Sequence, residues 1–365
     1  MGELVLYRKY RPRGFDEIVG QESVVRALLN AISQGKLAHA YLFSGPRGVG
    51  KTTIARLIAK AANCTNETPK KIVPCNQCES CVRYSEGAAL NLNEIDAASN
   101  RGIDEIRELR EALRYASPEG GMKTYIIDEV HMLTPPAFNA LLKTLEEPPS
   151  HVMFVLATTE IEKVPATIIS RTQHFEFRRP SISAIAARLI RIAKAEGAAL
   201  EENAARVIAL AAEGSLRDAE SILGQIMAVE DKKITEAEVE DTLGLPRREA
   251  VRGFFRALAG RDTVAALLTI QKVVEDGHDA GQFLKASIRF ARNAVLLKLD
   301  PKLGESVTEE LLPEEKGELE KMLAGADAAH LKKILSVLTE TSETFRRSPI
   351  PELPLELAAL EITKL

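Results

Sequence analysis

The sequence predicts an α/β domain built on a parallel sheet covered by helices, followed by a small helical domain and an all-helical C-terminal domain. Three observations carry this. From Tyr41 to Phe177 short apolar runs alternate with longer stretches of helical spacing, the pattern of strands joined by helical crossovers. After Arg178-Arg179-Pro180 the strand runs cease, and apolar residues recur at helical spacing, as in Ala186-Leu189-Ile190-Ile192-Ala193. A third region begins near Gly244-Leu245-Pro246-Arg247-Arg248 and carries further amphipathic helices. The expected domains are therefore residues 1–179, 180–243 and 244–365.

In order, the expected strands are Ala40–Ser44, Leu92–Asp96, Thr124–Asp128, Val152–Thr158 and His174–Phe177, with helices starting at Thr52, Ile103 and Pro136. The chain has 365 residues, 45% hydrophobic and 27% charged, the ordinary balance of a globular protein able to bury more than one core. Met1 to Tyr10 holds only a short apolar patch, and no run of about 18 apolar residues follows, so a cytoplasmic protein with no membrane partner is expected. Net charge is −4, which gives no global attraction to nucleic acid. Charge is unevenly spread: residues 1–60 carry ten Lys/Arg against four Asp/Glu, and Glu305 to Glu320 holds seven acids and one Lys. Solvated faces of unlike helices would give the same asymmetry.

Gly45-Pro46-Arg47-Gly48-Val49-Gly50-Lys51-Thr52 fits the phosphate-loop pattern GxxxxGKT, placed directly after an apolar strand and before a helix. Glycines let the loop turn its backbone N–H groups inward, and the helix N-terminus adds its positive dipole end. Gly45, Gly48, Val49, Gly50, Lys51, Thr52 and Thr53 form the expected ATP-binding loop, with Lys51 reaching the β- and γ-phosphates and Thr52 placing a hydroxyl on Mg²⁺. The second acidic half of such a site is Ile126-Ile127-Asp128-Glu129-Val130-His131. Asp128 is expected on the metal and Glu129 as the base that polarises an attacking water.

These motifs join others: Arg8-Lys9-Tyr10-Arg11-Pro12, Val19-Gly20-Gln21, the run Phe138 to Pro149 (FNALLKTLEEPP), Ala157-Thr158-Thr159, Ser170-Arg171 and Gly214-Ser215-Leu216-Arg217-Asp218. Together they resemble the gamma/tau family of clamp-loader ATPase subunits of bacterial DNA polymerase III, of AAA+ type. The match spans the chain and thins after about residue 245. Thr172 stands where that family usually has Cys after Ser-Arg, which excludes a thiol role there.

The resemblance implies an AAA+ ATPase domain, a lid domain and a collar that joins subunits. It makes Arg171 an arginine finger acting in trans on a neighbour's nucleotide, Thr159 the sensor of the γ-phosphate and Arg217 a second sensor. Arg11 and Val19 would flank the adenine. It further implies a hetero-oligomer with delta- and delta-prime-type subunits, a sliding clamp, primed DNA held by its phosphate backbone and the DNA polymerase III core as partners. No polymerase active site is expected in this chain. DNA contact is expected near Asn100-Arg101-Gly102 and Lys163.

All four cysteines lie between Cys64 and Cys81. Cys64-x10-Cys75-x2-Cys78-x2-Cys81 favours a closed tetrahedral Zn²⁺ site, with an iron–sulfur cluster or unligated thiols as alternatives. The resemblance also implies a structural zinc module at 64–81. A ring helicase would use the same phosphate loop, Asp-Glu pair and trans arginine. A platform that binds nucleotide without hydrolysing it is the other class, and intact Lys51, Glu129 and Arg171 speak against it.

Overall fold

The computed structural model describes residues 5–66, 74–229, 233–300, 311, 313–345 and 348–364. The chain divides into two compact units, Met1–Ile185 with Ala212–Ser221, and Ala186–Ala211 with Ile222–Leu365. The expected second domain, 180–243, is thus shared between them.

The first unit is built on five strands: β1 (Ala40–Ser44), β2 (Leu92–Asp96), β3 (Lys123–Asp128), β4 (Val152–Thr158) and β5 (Gln173–Glu176). All pair in parallel, in the order β2-β3-β4-β1-β5. β1 and β4 are buried throughout, which is why they read as continuous apolar runs rather than alternating ones. Side chains still alternate between faces. Tyr41, Phe43, Ile126, Met153 and Val155 pack on one side with Leu28 of helix α2 (Glu22–Ser33) and Ile54 and Ile58 of α3 (Lys51–Ala62). Leu42, Ile127, Phe154 and Leu156 pack on the other with Ile106 and Leu109 of α5 (Ile103–Ala112) and Phe138 and Leu141 of α6 (Pro135–Glu146). The short helix α4 (Glu79–Glu86) lies between α3 and β2 in the chain.

This arrangement places the site. β1, β3 and β4 are interior strands, and their carboxyl ends carry Ser44, Asp128 and Thr158 side by side, Ser44 pairing with Thr158. Ligands of open α/β sheets bind at that edge.

In the second unit, α12 (Arg248–Ala259), α13 (Thr263–Glu275), α14 (Ala280–Leu299) and the helices Pro313–Ala324, Ala328–Thr344 and Leu353–Thr363 enclose one core. Its aromatic centre pairs Phe254 with Phe283 and Phe255 with Phe290, ring centroids 5.2 Å apart in each. Asp262, Asp279 and Asp327 cap their helices by accepting backbone N–H groups. Residues 305–310 of the acidic stretch lie outside the described residues.

The expectation of no strand beyond Pro180 is corrected at one point. β6 (Ala199–Leu200) and β7 (Lys233–Ile234) form a parallel ladder of two residues each. Each buries a single side chain, Leu200 or Ile234, too short a segment to leave an alternating pattern in the sequence. Among the described residues no helix is long and apolar enough to cross a membrane.

Candidate functional site

The loop after β1 turns through three glycines in the left-handed region, Gly45 (φ 135°), Gly48 (φ 75°) and Gly50 (φ 103°), the last immediately before α3. Side chains are excluded at two of them. A Cβ on Gly45 would stand 2.3 Å from the Phe177 carbonyl oxygen, and one on Gly48 would stand 2.0 Å from Ser215 Oγ. Gly48→Ala should therefore cost about 1–3 kcal/mol in backbone strain alone, read as a lowered melting temperature and weaker nucleotide binding. A melting curve and an affinity both unchanged would contradict this account of the loop.

Lys51 opens α3 and is 5% exposed. Its Nζ donates to the carbonyls of Gly45 (2.7 Å) and Pro46 (2.8 Å), which hold the ammonium over the loop. Burial lowers its pKa, and the charges of Glu129 and Asp128 pull it back up. Thr52 Oγ1 donates to Asp128 Oδ2 at 2.9 Å, so a hydroxyl and a carboxylate from two elements converge where a hard cation could take both.

Glu129 has φ 47°, a strained conformation for a non-glycine residue, and this turns its side chain away from the line of β3. Its Oε2 accepts from Thr159 Oγ1 (2.9 Å) and the Thr159 N–H (3.2 Å). His131, with a side chain only 5% exposed, braces the same carboxylate: Nδ1 lies 3.0 Å from Thr158 Oγ1 and 3.4 Å from Glu129 Oε2, and Nε2 lies 3.0 Å from Glu160 Oε1. Nothing in the spacing of Asp128-Glu129 announces the part played by His131.

Arg217, at the start of α10 (Leu216–Val229), belongs to this unit. The Leu216 N–H donates to the Gly48 carbonyl at 3.1 Å, and the Arg217 guanidinium lies 4.8 Å from the ring centre of Tyr7. A hydrogen bond from Arg217 lowers the Tyr7 pKa. Gln21 clamps the N-terminal segment onto the end of β5, donating Nε2–H to the Arg178 carbonyl (2.6 Å) and accepting its N–H (3.3 Å). Arg11 and Val19 are half-buried on that segment.

The four cysteine sulfurs all lie within 4.8 Å of one another. Cys75 and Cys81 are 3.8 Å apart. One ion with metal–sulfur bonds of about 2.3 Å sets the edges of its sulfur tetrahedron at about 3.8 Å, so this donor set fits a single tetrahedral dication. A cluster interposes several irons and spreads its thiolates farther. The backbone also fits. Cys78 N–H donates to Cys75 Sγ (3.3 Å) and Cys81 N–H to Cys78 Sγ (3.5 Å), donors that favour thiolate. Burial raises the Cys78 thiol, but N–H and hydroxyl donors from Cys81 and Thr65 outweigh it and bring it to about 6; burial pushes Cys81 up.

Family comparisons agree along the chain. Residues 20–181 match the profile of the DNA polymerase III delta subunit, residues 184–231 that of the clamp-loader subunit ATPase lid domain, and residues 234–365 that of domain III of the gamma and tau subunits. The DNA polymerase III subunit gamma of Buchnera aphidicola is 36% identical over 99% of this chain and 98% of its own length. The chain belongs to the gamma/tau family of DNA polymerase III.

Other gamma/tau proteins are longer. The tau subunit of Bacillus subtilis is 40% identical over 99% of this chain, which spans 63% of that relative; for the tau subunit of Escherichia coli the identity is 41%, covering 82% of this chain and 46% of the relative. Among solved structures, Thermotoga maritima RuvB matches 68% of this chain and 79% of its own with a TM-score of 0.50 at 20% identity, a likeness of fold. The fold is that of an AAA+ ATPase.

Two further groups of expected residues are held by local contacts of their own. Arg171 follows the short helix α7 (Ala166–Ile169), and its guanidinium pairs with Glu146 Oε1 at 2.6 Å and donates to the Thr167 carbonyl at 2.9 Å. The expected DNA contacts are also engaged: Arg101 Nε donates to the Ala98 carbonyl (2.8 Å) and Lys163 pairs with Glu160 (2.6 Å). The first turn of α5 carries Asp104 and Glu105, whose charges occupy the favourable end of that helix dipole and oppose a phosphate there.

Proposed function

We propose that this chain is the ATP-hydrolysing subunit of a clamp loader, which uses ATP binding to open a sliding clamp and place it on primed DNA for the polymerase. The observation that carries this is the convergence of Lys51, Thr52, Asp128, Glu129 and Thr159 at one sheet edge, in a chain of the gamma/tau family. Lys51 and the loop N–H groups, with Val49 and Thr53, bind the phosphates. Thr52 and Asp128 hold Mg²⁺, and Glu129 orients and deprotonates the attacking water. Thr159, already bonded to Glu129, couples that carboxylate to the γ-phosphate. Arg217 and Tyr7 act near the nucleotide with Arg11 and Val19. Arg171 serves the neighbouring subunit's site, and the helices after residue 244 join subunits as a collar. The partition into domains 1–179, 180–243 and 244–365 belongs to the same reading, as do delta- and delta-prime-type partners.

The test uses the chain assembled with its partner subunits. Transfer of a clamp to primed circular DNA should require ATP, and strand displacement should be absent. Efficient unwinding of duplex, without clamp transfer, would favour a motor instead. Within the same reading Lys51→Ala should lose nucleotide binding, since it removes the cation balancing the β- and γ-phosphates; equilibrium titration showing wild-type affinity would contradict its role.

The cysteine module is proposed to hold one structural Zn²⁺ per chain, with no ligand position left for water. Elemental analysis of protein purified without added metal should find zinc close to one per chain. Iron with visible absorbance, or no metal, would contradict it.

A further inference from the structure

Among the described residues, Lys60 is a buried lysine held by neutral oxygens, with no carboxylate pairing to its ammonium. Lys60 lies one turn before Cys64 on α3, the helix that Lys51 opens, and is 4% exposed. Its Nζ donates to Asn76 Oδ1 and to Ser85 Oγ, the latter at 2.8 Å. Asn76 stands between Cys75 and Cys78 in the left-handed conformation, φ 59°, that turns the chain so both sulfurs face inward. Ser85 Oγ in turn donates to the Cys81 carbonyl at 3.0 Å. One ammonium therefore braces both sides of the cysteine cluster, the turn of Cys75–Cys78 and helix α4.

Neutral hydrogen bonds could hold these two oxygens equally well. A full charge taken out of water is costly unless a counter-charge lies near. Burial pushes the Lys60 ammonium below the usual lysine range and the Arg13 guanidinium adds to this, while charge on the Cys81, Cys75 and Cys64 sulfurs pulls it back up. Four thiolates around one dication leave two net negative charges in the same half-buried place.

We propose that Lys60 is the counter-cation of the metal-bound cysteine cluster, stabilising the four thiolates electrostatically while fixing the Asn76 turn that orients two of them. The proposal rests on the reading that the cysteines hold a dication. Thiolates gathered on a dication would favour the charged form of Lys60 against the cost of its burial. This makes metal binding and burial of Lys60 mutually supportive, since each thiol must release a proton to bind and a nearby cation favours the thiolate. Outer partners of metal ligands commonly account for 10–100-fold in metal affinity.

Two neutral replacements separate charge from packing and from hydrogen bonding. Lys60→Met keeps the apolar stem, and Lys60→Gln keeps a donor for Asn76 or Ser85. Competition for Zn²⁺ against a chromophoric chelator, on the full chain, should show about 10–100-fold weaker binding in both variants. ATP affinity at the other end of α3 should be retained, reporting that the helix is intact. Co²⁺ substitution should give tetrahedral tetrathiolate bands in the wild type and in the variants at saturation. Wild-type zinc affinity in either folded variant overturns the counter-charge. A wild-type chain that takes up neither Zn²⁺ nor Co²⁺ overturns the metal reading, and with it this proposal.

Discussion

Arg171→Ala should leave ATP binding and the fold nearly intact while ATP turnover in the assembled complex falls by up to about 10³–10⁵-fold. A cation placed against the transferring phosphoryl group stabilises charge that grows on its oxygens, and its loss appears in turnover rather than in ground-state affinity. In this chain the guanidinium is held by Glu146, with side chains 34% and 48% exposed. An exposed pair of that kind contributes at most about 1 kcal/mol, so a neighbour's nucleotide can take the arginine at little cost. Complexes mixing Arg171→Ala with Lys51→Ala chains decide the geometry. Activity should follow which chains are adjacent, because a working site needs an intact loop facing an intact arginine. If isolated Arg171→Ala monomers lose the same activity as the assembled mutant, the residue acts within its own chain.

Glu129→Gln is the second large effect. The substitution keeps the side-chain size and an oxygen able to accept from Thr159, so the strained turn at φ 47° and the bond network around it should persist. It removes the base. Turnover should fall by about 10²–10⁴-fold with ATP bound as tightly as in the wild type. A near-normal rate would remove Glu129 from the chemistry. Weak ATP binding would instead mean that its charge serves the Lys51 and Asp128 cluster, where its carboxylate acts on the Lys51 ammonium.

The sheet was legible because its strands obey simple rules. β1 and β4 fall where their apolar runs place them, β2 lies at the expected Leu92–Asp96 although it is an edge strand with three polar residues, and β3 starts one residue earlier, at Lys123, whose side chain is only half-buried and gives no apolar signal. β5 is displaced by one residue, to Gln173–Glu176, because as an edge strand it is mostly exposed and lacks a continuous run. The phosphate loop, Asp128 and Glu129 were readable from local sequence, since backbone geometry and chemistry are both encoded within a few positions. Contacts made across long separations were not. His131 against Thr158 and Glu160, Tyr7 against Arg217 and Lys60 against Asn76 depend on strand register and helix docking, which no local spacing reports. Resemblance to a family supplied Arg217 and Arg171; both lie in the same unit as the loop, Arg217 against Tyr7 and next to Leu216, whose N–H reaches the Gly48 carbonyl, and Arg171 held at Glu146.

On the proposed reading, ATP turnover at Lys51, Asp128 and Glu129 serves clamp placement on DNA. The most direct measurement is the ATPase rate of the assembled complex with primed DNA alone, with the sliding clamp alone, and with both. Joint addition should stimulate turnover well beyond the sum of the separate effects, and Glu129→Gln chains should abolish the response. A rate that rises with DNA alone, and to which the clamp adds nothing, would contradict the account.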